Sequence, residues 1–550
     1  MQHVTGLVRE RTTTQILLTA AEAYPAFERA VLEARTEIWG SFRIFDLRTR
    51  LHSPEACTVG ETWFDLIVHT LRRGVTIDLT ITDFDPVARP SLHRGTWAAL
   101  RRLLAAGEAA GAGERLRVRA ALHPAVTGVL PRLVLWPQVA LSLSRTARWL
   151  NARDPAQRRA ALRDMPGLAD LLFLDGRGRV QARPWRLPRL HPATHHQKLA
   201  VFDRRRLYIG GLDLDERRWD TPRHDRPGEE TWQDLQLMVE GPVVAEAQAH
   251  LESFRSFTAG LMPPHPQRRL LRTLSRARTA SWGGFWPESV RHEILDAHEM
   301  LAGRAQRLIY LETQFFRDTG LARSLARAAR EKPGLSLILI LPAAPEEVAF
   351  GRVWGLDTRY GEYLQARCLR ILKEAFGPRL FVGAPAQPRI DPAPSRAGPE
   401  AAGPEGKDGP EVYSGEDEPV APELALCRDR LRGAPLVYIH AKVSIFDDAA
   451  IVSSANLNGR SLRWDTEAGF LLTEVDQVAR LRERVMSHWL PVEPDPRLLD
   501  PGQAVAMWRS LALHNARLPP ERRDGFLLPY DRAAAERFGR PLPGVPEAMV

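Results

Sequence analysis

The sequence predicts an α/β fold of two similar halves, each a mixed β-sheet flanked by helices. The halves are expected to be related by a pseudo-twofold axis, with one site at their interface. Three observations carry this expectation. A chain of 550 residues is too long for a single hydrophobic core. Helix-type and strand-type periodicities alternate along it. An eight-residue polar motif occurs twice.

In the first half, a helical pattern over residues 23–34 runs into a strand-like segment, Thr36 to Asp46. A second helix over Phe64 to Arg73 stops at Gly74 and leads into apolar alternation from Val75 to Asp83. The second half repeats the plan. A helix over Ser289 to Ala305 precedes a strand from Arg307 to Phe316. A helix over Ala322 to Glu331 then stops at Lys332-Pro333-Gly334 before the apolar run Leu335 to Pro342. The expected division is 1–262 and 263–550. Between 385 and 422 the composition shifts to Pro, Gly, Ala and acidic residues. That stretch has too few large apolar side chains to offset its ordering entropy, so a disordered insert is expected there.

Composition narrows the class. The 44% apolar and 26% charged content fits a globular chain, and the net charge of +9 favours anionic partners. The most apolar stretch, Ala125 to Leu143, is interrupted by Pro131, Arg132 and Pro137, so no membrane span is expected. No basic start followed by an apolar run opens the sequence, so no Sec-type leader is readable. The expectation is a cytoplasmic or peripheral-membrane location, with leaderless secretion left open. Cys57, Cys368 and Cys427 are too few for a disulfide framework.

The duplicated motif carries the chemistry. Thr194-His195-His196-Gln197-Lys198 through Asp203 and Tyr438-Ile439-His440-Ala441-Lys442 through Asp447 both read H-x-K-x-x-x-x-D, with the histidines 244 positions apart. Arg218-Trp219-Asp220-Thr221 is echoed by Arg463-Trp464-Asp465-Thr466. Only five lysines occur in the chain, and two of them fall in these motifs. On a strand, residues two apart share a face, so each His points with its Lys. An imidazole beside an ammonium makes a poor core and a good phosphate site. Asp203 and Asp447 stand where each strand ends, which favours bracing of the following turn over direct chemistry. His191, His195 and His196 lie close together, but no Cys or acidic ligand accompanies them at metal-binding spacing. No metal site is expected, and His195 is expected to support its neighbours.

These residues bring the chain to a known family: it resembles the phospholipase D superfamily, in its duplicated, eukaryotic-type branch. Beyond the motifs, the resemblance rests on Trp232-Gln233-Asp234 with Glu240-Gly241-Pro242, on Leu311-Glu312-Thr313-Gln314-Phe315-Phe316, and on Ser453-Ser454-Ala455-Asn456-Leu457-Asn458-Gly459-Arg460-Ser461 with Glu467. Ser453 stands where the family has Gly, and Thr313 where it has Asn. No stretch matches the phox-homology, pleckstrin-homology or C2 modules that recruit many members to membranes.

The resemblance implies a metal-independent, cofactor-free displacement at phosphorus, with the catalytic motif comprising His196, Lys198, Asp203, His440, Lys442 and Asp447. It implies His196 as nucleophile and His440 as general acid and base; the sequence alone does not break that symmetry. Lys198, Lys442 and Asn456 would hold phosphate oxygens, and Asp213, in the place matching Asn456, would brace its loop. Asp234 and Glu467 would orient the imidazoles, following the histidines of their own halves by 38 and 27 residues. The implied activity is hydrolysis of a glycerophospholipid head group, with transfer where an alcohol replaces water. The alternatives are a cardiolipin synthase-type phosphatidyltransferase and a nuclease; an aromatic and basic stacking stripe for nucleic acid is not evident. The implied partner is a phospholipid at a membrane surface. Trp219 and Trp464 are candidates for a cation cage, with core packing the favoured fate. Head-group preference and oligomeric state are not readable.

Overall fold

The computed structural model describes residues 12–183, 186–278, 284, 287–350, 355–390 and 430–549. Most of the acidic insert expected at 385–422, together with Cys427, lies outside the described residues.

The first sheet uses β1 (Thr13–Leu18), β2 (Glu37–Phe42), β3 (Thr76–Thr82) and β4 (Leu116–Ala121). A small hairpin, β5 (Leu172–Leu174) and β6 (Val180–Ala182), stands apart from it. The sheet resumes with β7 (Leu199–Phe202), β8 (Arg206–Gly210) and β9 (Leu235–Glu240). The order is β1-β9-β8-β7-β2-β3-β4. The second sheet uses β10 (Leu270–Arg276), β11 (Glu288–His292), β12 (Leu308–Thr313), β13 (Ser336–Ile340) and β14 (Leu380–Pro385). After a two-stranded ribbon, β15 (Arg430–Leu431) and β16 (Ala434–Pro435), come β17 (Lys442–Phe446), β18 (Ala449–Ser453), β19 (Glu467–Leu472) and β20 (Leu527–Pro529). Its order is β11-β10-β19-β18-β17-β12-β13-β14-β20.

Without its edge strands β11 and β20, the second sheet repeats the first strand for strand. In each, the strand after the motif pairs antiparallel with β2 or β12, and these continue into two parallel neighbours. The duplication seen in the motif is therefore a duplication of the whole sheet.

Local chemistry sets the elements. The helices of the first half are α1 (Thr19–Glu33), α2 (Pro54–Cys57), α3 (Trp63–Arg72), α4 (Pro90–Ala110), α5 (Val129–Val134), α6 (Trp136–Asn151), α7 (Pro155–Arg163) and α8 (Val243–Thr258). A capping box of Thr62 and Asp65 starts α3, and Gly74, at φ +92°, turns the chain into β3. The second half adds α9 (Glu293–Arg304), α10 (Thr319–Glu331), α11 (Glu346–Ala349), α12 (Leu356–Phe376), α13 (Gly459–Arg463), α14 (Val475–Ser487), α15 (Ala504–Asn515) and α16 (Arg532–Phe538). The helix expected from Ser289 begins at Glu293 instead, because Glu288 to His292 pair as an edge strand with β10. None of the described helices is long and apolar enough to cross a membrane.

The two halves share a core. On β7, Leu199 and Val201 face a cluster that includes Tyr310, Val443, Ile445, Val452 and Phe470 of the second sheet. Ala200 and Phe202 point the other way, into an outer core with Phe27, Phe42 and Trp63. A matching outer core under the second sheet holds Ile309, Leu311, Leu337 and Leu339. Helices α8, α14 and α15 add Val244, Leu251, Leu481, Val485, Val505 and Trp508 to the shared cluster, so helices line the space between the sheets as well as their outer faces. Strand alternation sends odd residues of β7 inward and even residues outward. The central parallel strands β12 and β13 are buried on both faces, which is why their sequences read as unbroken apolar runs.

Candidate active site

Each motif histidine sits in extended chain just before its strand. Lys198 immediately precedes β7, and Lys442 is the first residue of β17. Both lysine ammoniums fold back onto the carbonyl of their own histidine, Lys198 Nζ donating to His196 O at 2.5 Å and Lys442 Nζ to His440 O. The side chains of His196, Lys198, His440 and Lys442 are all buried.

The halves are stitched together at these residues by two equivalent bridges. Thr466 N donates to Thr194 O and His196 N to Thr466 O, both at 2.8 Å. In the other half, Gln233 N donates to Tyr438 O and His440 N to Gln233 O, again at 2.8 Å. Thr466 precedes Glu467 and Gln233 precedes Asp234. The bridges therefore carry each carboxylate to the histidine of the opposite half. His196 Nδ1 lies 3.0 Å from Glu467 Oε1, and His440 Nδ1 lies 2.6 Å from Asp234 Oδ2. This corrects the pairing that sequence spacing suggested, in which each carboxylate served its own half. Spacing along one chain carries no information on contacts across an interface.

Both carboxylates are anchored in turn. Ser454 Oγ donates to Glu467 Oε2, while Leu235 N donates to Asp234 Oδ1 at 2.9 Å. Glu312 supports the second bridge from below. It accepts from Gln233 Nε2 at 3.3 Å, Tyr310 OH at 2.8 Å and Trp489 Nε1 at 3.0 Å.

Asp203 and Asp447, counted in the catalytic motif, stand five residues beyond each lysine, roughly 16 Å along a strand. Asp203 accepts from the backbone N–H groups of Arg35, Thr36 and Glu37. Asp447 does the same for Gln306, Arg307 and Leu308. Both are turn residues in left-handed backbone, at φ +49° and +48°. They brace the entry of β2 and β12 and do not reach the histidines, which corrects their inclusion among catalytic groups.

Asp213 Oδ1 accepts from the N–H groups of Arg43 and Ile44, both at 3.0 Å, and so fixes the loop after β2. Its Oδ2 lies 3.8 Å from Lys198 Nζ. Asn456 holds the matching place in the second half; it is buried, and its Oδ1 has no protein partner.

Three arginines that carried no assigned role in the sequence complete the site, although Arg218 and Arg460 stand within its motifs. Arg43, Arg218 and Arg460 all act electrostatically on the motif histidines. The Arg218 guanidinium lies 3.5 Å from the Trp232 ring centre, and that ring lies 4.7 Å from the His440 ring. Arg218 Nη1 is buried without a protein acceptor, so it has a donor left for an anion. The chain is so rich in Arg that Arg43 did not stand out; the repeated R-W-D-T echo was the available signal for Arg218, and the stretch from Ser453 to Ser461 that for Arg460.

Burial, reinforced by the surrounding cations, holds both imidazoles well below their usual range. Burial also lowers both lysines, Lys442 to about 7. It raises Asp234 to about 6 and Glu467 to about 8. The two lysines differ in company: Lys198 faces the carboxylate of Asp213, whereas the matching residue beyond Lys442 is the neutral Asn456. The site thus offers neutral imidazoles as nucleophiles or bases, inside a ring of cations suited to a phosphodiester.

The remaining candidates fall outside it. His195 Nδ1 bonds Thr466 Oγ1 at 2.8 Å and His191 Nδ1 bonds His123 O at 2.8 Å, so the three neighbouring histidines diverge. Among the described residues, no group of three His, Cys, Asp or Glu side chains converges as a metal site. Trp464 is buried in the core, and Trp219 stacks on His52 at 3.4 Å.

No family model matches this sequence, and no curated protein resembles it at the sequence level. Among solved structures, it is similar to phosphatidylserine synthase from Haemophilus influenzae Rd KW20, with a TM-score of 0.45 and 12% identity over 92% of this chain and 95% of that one. It is also similar to polyphosphate kinase from Porphyromonas gingivalis, with a TM-score of 0.39 and 10% identity over 86% of this chain. The chain spans about half the length of that kinase, 49%.

Proposed function

We propose that this protein is a phospholipase D-type phosphodiesterase that hydrolyses the head-group ester of glycerophospholipids without a metal. The observation that carries the reading is the pair of crossed histidine–carboxylate contacts, His196 with Glu467 and His440 with Asp234, set among two lysines and three arginines.

His196 Nε2 attacks phosphorus while Glu467 holds Nδ1, so the free nitrogen of the ring faces the substrate. The bound diester anion and the Asp234 carboxylate favour the imidazolium form of His440, which takes up a proton as substrate binds and gives it to the departing alcohol oxygen, and the P–O bond breaks as the P–N bond forms. His440 then takes a proton from water, whose oxygen attacks phosphorus and returns His196 to its neutral state. The products are phosphatidic acid and the free head-group alcohol. Lys198, Lys442 and Asn456 hold the non-bridging oxygens, where negative charge builds, and Arg218 contributes its unpartnered donor.

The test is a product assay on phosphatidylcholine, phosphatidylglycerol and single-stranded DNA, with ethanol added to one arm. Free choline with phosphatidic acid, and phosphatidylethanol in the ethanol arm, are expected. Cardiolipin from phosphatidylglycerol would instead identify a phosphatidyltransferase, and shortened DNA a nuclease. His196→Ala and His440→Ala should each lower turnover by at least about 100-fold while the protein stays folded.

A further inference from the structure

The first sheet carries an insertion, residues 122–193, between β4 and the motif that precedes β7. Its counterpart in the second half contains nothing similar among the described residues. The insertion leaves from the C-terminal end of β4 and returns at the N-terminal approach to β7. That is the sheet end where Arg43 follows β2 and where His196 lies. It therefore stands beside the candidate active site.

Its charge is unusual. It holds twelve arginines and four aspartates, with no lysine or glutamate, a net +8 in a chain whose total is +9. Nearly all the excess positive charge of the protein is concentrated in this one element.

Its helices also present two apolar faces. On α6, Val139, Leu143, Ala147 and Leu150 are buried in the insertion's own small core. On the opposite side Leu141 is 44% exposed, and on α5 Leu133 and Val134 are 54% and 75% exposed. Val134, Leu141 and Arg148 recur every seven residues, which places them on one side of the nearly continuous helical run. A globular helix needs one buried stripe; the second stripe has no core to cover.

Beside it lies a groove of about 320 Å³ between α6 and the β5–β6 hairpin, which is latched to the helix by two hydrogen bonds between Asn151 and Val180. Its floor includes Leu143, Ala147 and Val180. Arg148, Arg179 and Arg183 line it, and no carboxylate does. The volume is within the range of small-molecule sites, roughly 300–1,000 Å³. Arginine forks suit phosphate oxygens. The exposed aliphatic stripe beside them suits acyl chains better than nucleic acid, which favours aromatic stacking.

We propose that this insertion is an anionic-lipid docking site: the groove takes the phosphate of an anionic phospholipid, while Leu133, Val134 and Leu141 enter the acyl region beside it. Its purpose rests on the proposed lipid substrate, since docking would bring the neighbouring active site to the membrane surface. Vesicle binding is measured without turnover and soluble-diester hydrolysis without vesicles, so the two readings can fail separately.

The experiment is co-sedimentation of the full chain with phosphatidylcholine vesicles, pure or mixed with phosphatidylglycerol. Binding to the mixed vesicles is expected to be at least about tenfold tighter and to weaken with salt. The double variant Arg148→Glu/Arg183→Glu should lose that preference. Leu133→Ser/Val134→Ser should weaken binding to mixed vesicles at least about tenfold. Both should keep wild-type turnover of bis(p-nitrophenyl) phosphate. Equal wild-type binding to both vesicles, or wild-type binding by both double variants, would overturn the proposal. So would a dimer dissolved by the Leu133 and Val134 changes, which would assign the face to a second copy. A loss of soluble-diester turnover in the variants would place these residues in the active site and overturn the assignment as well.

Discussion

His196 of the first half is held by Glu467 of the second, Nδ1 to Oε1 at 3.0 Å, and the reciprocal contact joins His440 to Asp234 at 2.6 Å. Each half-site is therefore built from both halves, and removing a carboxylate should disable the histidine of the other repeat. With His196 as nucleophile, Glu467→Gln should behave like His196→Ala and accumulate no covalent enzyme. Asp234→Asn should behave like His440→Ala. With a p-nitrophenyl phosphodiester, whose leaving group needs little protonation, it should form the phosphohistidine and release it slowly. Mass spectrometry of rapidly quenched protein reads the difference. An intermediate trapped in Glu467→Gln and missing in Asp234→Asn would reverse the two roles.

How much of this was legible in the sequence follows from how local each feature is. His196 with Lys198, and His440 with Lys442, are separated by one residue, so strand geometry alone brings each pair together. The sheet repeat was legible because the same helix-and-strand pattern recurs in both halves. The carboxylate crossing was not, since His196 and Glu467 meet through a bridge 271 residues apart. Asp203 and Asp447 fit the turn role because their position at a strand end is also local. Arg43 was hidden by the abundance of arginine, whereas Arg460 stood in the Ser453 to Ser461 motif without a role assigned to it. The docking insertion was hidden because its strongest signal, a charge excess over 72 residues, belongs to no motif or periodicity. The shared core was unexpected: two similar halves suggested two separate cores, and inward residues of β7 and β17 instead meet in one.

The pH dependence of substrate capture should have limbs set by Asp234 and Lys442. Burial raises Asp234 to about 6, so below that pH it is protonated and supports the His440 imidazolium less well. Burial lowers Lys442 to about 7, so above that pH it loses the charge that receives phosphate. Plots of kcat/KM should therefore decline on both sides of this interval. In the complex the bound phosphate favours the charged ammonium, so the basic limb of kcat should move to higher pH. Asn456→Asp should supply Lys442 with the partner that Asp213 gives Lys198. It should shift the basic limb of kcat/KM upward and lower its maximum, because the new carboxylate repels phosphate. A basic limb unmoved by Asn456→Asp would remove Lys442 as its source.

Glu467 links the site to stability. In the substrate-free fold its carboxyl is raised by burial from 4.5 to about 8, so at neutral pH that state holds a proton which the unfolded chain gives up and which leaves before Glu467 accepts from His196 Nδ1–H as a carboxylate. For a raised acid, this contribution is fully present below the unfolded value and is lost as pH rises to the folded value. Glu467→Gln removes the ionisation. Between about pH 5 and 8 its Tm should rise relative to wild type, by at most about 1.4 kcal/mol of stability per pH unit. Thermal melts at several pH values check this. A constant difference across the range would mean that Glu467 titrates normally. Because the same change disables His196, the variant should be more stable and less active.

Gly211 and Ser454 occupy equivalent places, and the difference between them follows from the length of the carboxylate each one faces. Gly211 N donates to Leu235 O and Ser454 N to Ala468 O, the residues that follow Asp234 and Glu467. A Cβ at Gly211 would lie 2.2 Å from Asp234 Oδ1, a contact that no real side chain makes. Glu467 is one methylene longer and tolerates a serine, whose hydroxyl it binds. Gly211→Ala should therefore displace Asp234 from His440 and lower turnover at least about tenfold, an effect in the same direction as Asp234→Asn. Recreating the other half's arrangement with Gly211→Ser and Asp234→Glu together should recover part of that loss, whereas Gly211→Ser alone should not. Steady-state kinetics of the two single variants and the double variant measure the coupling. Wild-type turnover in Gly211→Ala would show that the close approach of Asp234 to this backbone is not what positions His440.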